Sequence, residues 1–73
     1  MVGLPLASKF NEIIQLDVGE FENNKFLVIV DYAIRYTQAV WLKNKTSKEI
    51  IERLIENWIT YFGSPNGIMS DVG

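Results

Sequence analysis

The chain has 73 residues, 48% of them hydrophobic and 12% aromatic, with a formal net charge of −2, no Cys and no His. This size predicts one small domain, or part of a larger one, with a marginal core, and the composition is that of a folded chain. The absence of Cys and His excludes disulfides, thiolate catalysis, the usual zinc ligands and the Ser-His and Cys-His nucleophile pairs. The negative net charge argues against autonomous tight binding to DNA or RNA, which needs a basic surface.

Residues 1–11 carry Gly3, Pro5 and Ser8 among scattered apolar residues and are predicted to form a linker. They lack a basic segment followed by a long apolar run, so we expect neither a signal peptide nor secretion. The longest uninterrupted apolar run, residues 26–30, is too short to span a membrane, so we expect no membrane partner.

Three strand-like segments follow, at residues 13–18, 26–31 and 37–43, with a turn at residues 22–25 between the first two. The second segment is continuously apolar, which is typical of a central strand covered on both faces. The third is mixed in polarity and is predicted to lie nearer an edge. Because the connections are short, the three strands are predicted to form an antiparallel meander.

Residues 47–62 are predicted to form one helix. Thr46 and Glu49 have the spacing of a capping box, and Gly63 and Pro65 supply the stop. Seven apolar residues at helical spacing predict one broad stripe packed against the sheet: Ile50, Ile51, Leu54, Ile55, Trp58, Ile59 and Phe62. The two tryptophans of the chain, Trp41 and Trp58, are both predicted to lie in the core.

Residues 68–71 form a last short strand-like segment. The third strand, the helix and this fourth strand make a crossover unit, which is right-handed in almost all known cases. Since the third strand runs parallel to the first, the fourth can lie parallel to the first on its open side. The predicted fold class is therefore α/β with sheet order 3-2-1-4. In this order Asp17 and Asp71 lie on adjacent strands and can face the same side.

Five stretches in this order resemble a known family. They are LDVGEF (16–21), FLVIVDYAIRY (26–36), AVWL (39–42), YFGSP (61–65) and IMSDVG (68–73). Together they resemble the catalytic core of retrotransposon and retroviral integrases, above all those of gypsy-type long-terminal-repeat elements. The resemblance covers residues 12–73 and implies a truncated ribonuclease-H-like fold, the N-terminal part of such a core.

The resemblance implies that Asp17 and Asp71 are two of three acidic metal ligands for Mg²⁺ or Mn²⁺, with no small-molecule cofactor. Two such ions can activate an oxygen nucleophile and stabilise the leaving oxygen of a DNA strand without any His. The family's third acid, a Glu beyond the second Asp, has no counterpart in these 73 residues. We therefore expect weak metal binding and no strand transfer by this chain alone. Val72 stands where the family usually has Asn.

The family further implies DNA as the partner of the parent enzyme. It also implies a location in the nucleus or in a cytoplasmic virus-like particle. The composition of the chain supports neither the DNA partner nor the location. Because its net charge is negative, contact with DNA would need a metal ion or basic segments elsewhere in the protein.

Each of these residues also has a structural interpretation. Asp17 can point to solvent from a half-covered strand, and Asp71 can serve as an Asx-turn residue. Asp31 is a rival candidate acid, but it is predicted to bond the backbone of the turn that follows it. Arg35 in that turn is predicted to pair with an acid rather than with phosphate. Three lysines near the helix start are interpreted as a solvated face, with a DNA-backbone contact as the alternative: Lys43, Lys45 and Lys48.

Two other classes of function stay open on the sequence. A non-catalytic module, domesticated or relic, would self-associate through open sheet edges. An unrelated small α+β binding domain would share only the strand order with the integrase family, and replacing its two acids would leave divalent-ion binding unchanged.

Overall fold

A computed structural model describes residues 9–44 and 46–70, which form a four-stranded sheet with one helical segment packed on it. The strands are β1 (Ile13–Phe21), β2 (Asn24–Asp31), β3 (Thr37–Leu42) and β4 (Gly67–Ser70). Their order in the sheet is β3-β2-β1-β4. β2 is antiparallel to both β1 and β3, whereas β4 is parallel to β1. The predicted α/β class and strand order are confirmed.

The β1–β2 hairpin is tighter than predicted. Its connection consists of two residues, Glu22 and Asn23, whose φ angles are 51° and 68°. Two successive positive φ angles match the twist of a two-residue hairpin, and Asn adopts them readily. The ladder therefore extends to the pair Phe21–Asn24, and the predicted four-residue turn is wrong.

Only one side of the sheet, which we call the helix face, is covered by the helical segment. The buried core consists of helix-face residues from three strands together with two helix residues: Ile14, Leu16, Leu27, Ile29, Leu42, Leu54 and Trp58. Alternate residues point to the opposite side, the open face, because side chains alternate along a strand. Within the described residues the central strand β2 is thus covered by the helix on one face, not on both as predicted, and Phe26, Val28 and Val30 lie half-buried on the open face.

The helical segment changes character along its length. Helix α1 (Ser47–Leu54) continues through a π-helical stretch (Ile55–Ile59) into a last α-helical turn, α2 (Thr60–Phe62). The predicted N-cap is confirmed, since the Thr46 side-chain oxygen accepts a hydrogen bond from the Glu49 backbone N–H at 3.1 Å. Gly63 ends the segment with φ 84°, a value that favours glycine.

The helix buries a narrower stripe than the seven predicted residues. Leu54 and Trp58 lie in the core, and Ile50 and Ile59 pack against it. Three others are exposed, contrary to prediction: Ile51 at 56%, Ile55 at 45% and Phe62 at 37%. Successive residues of a helix point about 100° apart. Ile51 and Ile55 each follow a residue that faces the sheet, so their own side chains point away from it. A second prediction is also wrong, because Trp41 is 59% exposed on the open face.

Asn11 ties the end of the helix to the start of β1. Its side-chain Nδ2 donates to the backbone oxygens of Phe62 at 2.8 Å and Gly63 at 3.0 Å. Its Oδ1 accepts from the indole Nε1–H of Trp58 at 2.7 Å. These bonds satisfy carbonyl groups that a helix end leaves unpaired. Asn11 was assigned to the predicted linker, of which residues 1–8 lie outside the described part of the chain.

Glu49 joins the start of the helix to the end of β3. Replacing Glu49 by Ala is expected to reduce the free energy of unfolding by about 2–4 kcal/mol. The side chain is 4% exposed, and its carboxylate accepts the backbone N–H groups of Lys43 and Asn44, both at 2.6 Å. Loss of the carboxylate leaves these donors without a partner at a part-buried position. Urea unfolding of Glu49→Ala and of the control Glu52→Ala, an exposed acid of the same helix, measures the difference. Equal stability of the two variants would contradict this role.

Candidate metal site beside strands β1 and β4

Asp17 lies in the middle of β1, opposite Val28 of β2, and its side chain is exposed on the open face of the sheet. Its Oδ1 accepts the backbone N–H of the next residue, Val18, at 2.8 Å. The strand thus presents the carboxylate to solvent, where a hydrated cation can reach it. The structural interpretation of Asp17, a solvent-facing acid on a half-covered strand, describes the same geometry.

β4 approaches Asp17 through a parallel ladder. The ladder pairs Ile13 with Gly67 and continues residue by residue to the pair Leu16–Ser70. On β1 the next residue is Asp17, and in the sequence the next residue after Ser70 is Asp71. Asp71 lies outside the described residues, so the predicted meeting of the two acids stays a prediction.

Asp31, the rival acid, has a structural role, as predicted. It is fully buried at the end of β2. Its carboxylate accepts three backbone N–H groups: that of Asn11 at 2.7 Å and those of Ala33 and Ile34 at 3.0 Å each. It pairs in register with Ile14, on the helix face, whereas Asp17 is on the open face. The two acids therefore cannot share a metal ion.

The basic residues lie apart from Asp17 along the chain. Arg35, with φ 62°, holds its guanidinium 5.6 Å from the ring centre of Tyr32, a cation–π contact. Among the described residues no acid forms an ion pair with Arg35, so the predicted acid partner is not found there. Lys43 and Lys48 are exposed beside the helix start, in agreement with a solvated face. Lys45 lies outside the described residues.

Within residues 9–44 and 46–70, no three His, Cys, Asp or Glu side chains come together closely enough to hold a metal ion. The predicted site needs Asp71 and an acid beyond the sequence, so this finding does not bear on it. Over the same residues no helix is long and apolar enough to cross a membrane. A scan against protein-family models and a search of curated proteins found no match to this chain.

A patch of aromatic side chains on the open face was not predicted from the sequence. We define the patch as Phe21, Phe26, Ala39 and Trp41, which line a shallow cleft of about 340 Å³. The Phe26 and Trp41 rings meet edge to face at 5.5 Å. Phe26 also lies over Gly19, where an added Cβ would be only 2.4 Å from Phe26 Cζ. A glycine opposite an aromatic residue across a hairpin signals such close approach, but β1 was predicted to end before Gly19.

Proposed function

We propose that this chain is the N-terminal part of an integrase-type catalytic core of the ribonuclease-H-like class, and that its parent enzyme cuts and joins DNA with bound metal ions. One observation carries the proposal: β4 lies parallel beside β1 in the order β3-β2-β1-β4. These are the strands that carry, or lead into, the LDVG and SDVG motifs at residues 16–19 and 70–73. A chance likeness of short motifs would not require this pairing.

The chemistry assigned to the parent is an in-line displacement at a DNA phosphodiester. Divalent ions supply activation of the attacking oxygen and stabilisation of the leaving oxygen. Asp17 contributes an exposed carboxylate on a rigid strand, an oxygen ligand of the kind Mg²⁺ prefers. The proposal requires the β1–β4 register to continue by one pair, so that Asp71 supplies a second carboxylate beside Asp17. Two adjacent carboxylates repel each other, and binding of a divalent cation by Asp17 and Asp71 would relieve this repulsion.

A polypeptide of these 73 residues is expected to bind Mg²⁺ or Mn²⁺ weakly, through Asp17. NMR titration with Mg²⁺ should shift amide signals around Asp17, and Asp17→Asn should abolish these shifts. Glu20→Gln is the matched control, since Glu20 is an exposed acid of the same strand that points to the helix face. Shifts that persist in Asp17→Asn would overturn the site and favour the unrelated α+β binding domain. The same polypeptide should show no metal-dependent cleavage of a DNA end, because two acids do not hold both ions against a phosphodiester.

The encoding DNA tests the origin of the chain separately. The proposal predicts that the reading frame continues beyond Gly73 into a helix that carries a Glu. The protein translated from that frame should process DNA ends in the presence of Mg²⁺, and Asp17→Asn should abolish this activity while Glu20→Gln retains it. Activity that survives Asp17→Asn would contradict the assignment.

A second candidate function is a non-catalytic module that associates with itself. The observation in its favour is the open face of the sheet, on which no helix or strand of the described ranges lies. This function needs no metal, and it predicts that the Asp17→Asn variant still associates with itself.

A further inference from the structure

The open face is apolar over most of its area and nearly free of charge. Its apolar residues come from all four strands and include Phe21, Phe26, Val28, Val30, Trp41 and Met69. Phe21 and Trp41 are 61% and 59% exposed. The described strands carry four charged residues, and three of them are on the helix face: Glu20, Lys25 and Asp31. Among the described strand residues only Asp17 brings a charge to the open face, and the register proposed above would add Asp71.

We propose that the open face packs against the open face of a second copy of this chain, forming a symmetric dimer of two sheets. A two-fold dimer uses the same patch on both copies, so an apolar face that carries little charge meets a face with the same property. Depletion of charge and enrichment in aromatic residues are the features that mark interface centres. In this arrangement Trp41 and Phe21 project from the aromatic patch into the other sheet, which lies about 10 Å away as in β-sandwiches. The inference does not depend on the proposed metal site.

The size of the face agrees with a dimer of modest affinity. The four described strands, at about 3.3 Å per residue and about 4.8 Å apart, give a face of roughly 430 Å² on each copy. Two such faces bury roughly 860 Å² in total, which is the size of a weak, transient interface. We therefore expect a dissociation constant in the high micromolar range.

The sheet edges offer a poorer contact than the face. β3, at one edge, has six residues, and the described part of β4, at the other, has four. Short edge strands provide few backbone groups for pairing with a second chain and are a common means of preventing it. The open face instead presents its large side chains over several strands at once, which is why we assign association to the face.

Asp17 opposes this association, because a dimer would take its carboxylate out of water. Replacing it by Asn is therefore expected to tighten the dimer several-fold. The same variant is expected to lose divalent-ion binding in the proposed metal site. The metal titration is therefore made below the dimer dissociation constant, where Asp17 is exposed, so that either proposal can fail without the other.

Sedimentation equilibrium of the 73-residue chain over micromolar to millimolar concentrations tests the dimer. Trp41→Gln should weaken the dimer by about tenfold or more, as expected for a large, exposed aromatic residue that the interface would bury. Ile51→Gln is the matched control, an exposed apolar residue of similar exposure (56%) on the helix, and should leave the dissociation constant unchanged. Asp17→Asn should lower it.

Three outcomes would overturn the proposal: a wild-type chain that stays monomeric at millimolar concentration, a dimer insensitive to Trp41→Gln, or a dimer weakened equally by Ile51→Gln. Because a variant can fail to fold, the arrangement is also tested on the wild-type sequence. In a mixture of labelled and unlabelled chains, intermolecular NOEs should involve Val28 and Met69 of the open face. NOEs confined to Ile51 and Ile55 of the helix would refute the arrangement.

Discussion

Trp58→Ala is expected to lower the free energy of unfolding by about 3–5 kcal/mol, the range typical of truncating a buried Trp. Trp58 is fully buried, stacks on Phe10 at 5.6 Å between ring centres and donates its indole N–H to Asn11. The substitution removes a large ring from the only core of the described chain and leaves the Asn11 oxygen without its partner. At about 0.05–0.15 kcal/mol per residue, total stability is about 4–11 kcal/mol, so the substitution is expected to remove a large part of it.

Trp41→Ala is the matched control, because it removes the same side chain at a position 59% exposed. Its effect on the unfolding of the monomer should be below about 1 kcal/mol. Urea unfolding followed by circular dichroism, at concentrations below the expected dimer dissociation constant, measures both variants. Equal losses at the two positions would contradict the burial pattern, whereas Trp58→Phe should retain most of the stability and lose only the hydrogen bond to Asn11.

The second large effect is expected for Asp31→Ala, which should lower the free energy of unfolding by about 3–4 kcal/mol. The carboxylate accepts three backbone N–H groups, so its removal leaves three part-buried donors without a partner. One of these donors belongs to Asn11 and therefore connects the turn after β2 to the end of the helix. Asp17→Ala, at an exposed acid, should change stability by no more than about 0.5 kcal/mol.

Thermal and urea unfolding measure the free energy of unfolding of Asp31→Ala and Asp17→Ala. A large loss is expected for the structural acid Asp31 and a small one for the candidate metal ligand Asp17. If Asp17→Ala proved as destabilising as Asp31→Ala, the assignment of Asp17 to an exposed and chemically available position would be wrong. Asp31→Asn should lie between the two, because its amide oxygen can accept some of the three bonds but carries no charge.

The strand order could be predicted because it depends on the order and connection lengths of the strands and the helix, not on how single side chains pack. Three short-connected strands, a capped helix and a final short strand leave few topologies once the handedness of the crossover is fixed. The structural role of Asp31 was also predictable, since an acid at a strand end before a turn commonly bonds the turn backbone. In these cases local chemistry and global fold agree.

Burial of single side chains was harder to predict, because it depends on what covers each face. Hydrophobic periodicity assigns Ile51, Ile55 and Trp41 to a core, yet one helix on one sheet layer leaves all three exposed. The role of Asn11 was missed for a related reason. Its partners Phe62 and Gly63 are more than 50 residues away, and no local pattern marks a side chain that caps a helix from outside it. The meeting of Asp17 with Asp71 stays a prediction.

The position of Asn11 also has a consequence for the order in which the chain folds. Its bonds to the Phe62 and Gly63 carbonyls span 51 and 52 residues, whereas the β1–β2 hairpin closes through two residues. Local contacts form at little loop entropy, and distant ones wait until the intervening chain is in place. The hairpin is therefore an early element, and attachment of the helix end to the entry of β1 is a late one. We therefore expect the amide hydrogens of the last helical turn to exchange with solvent through a local opening that costs little free energy.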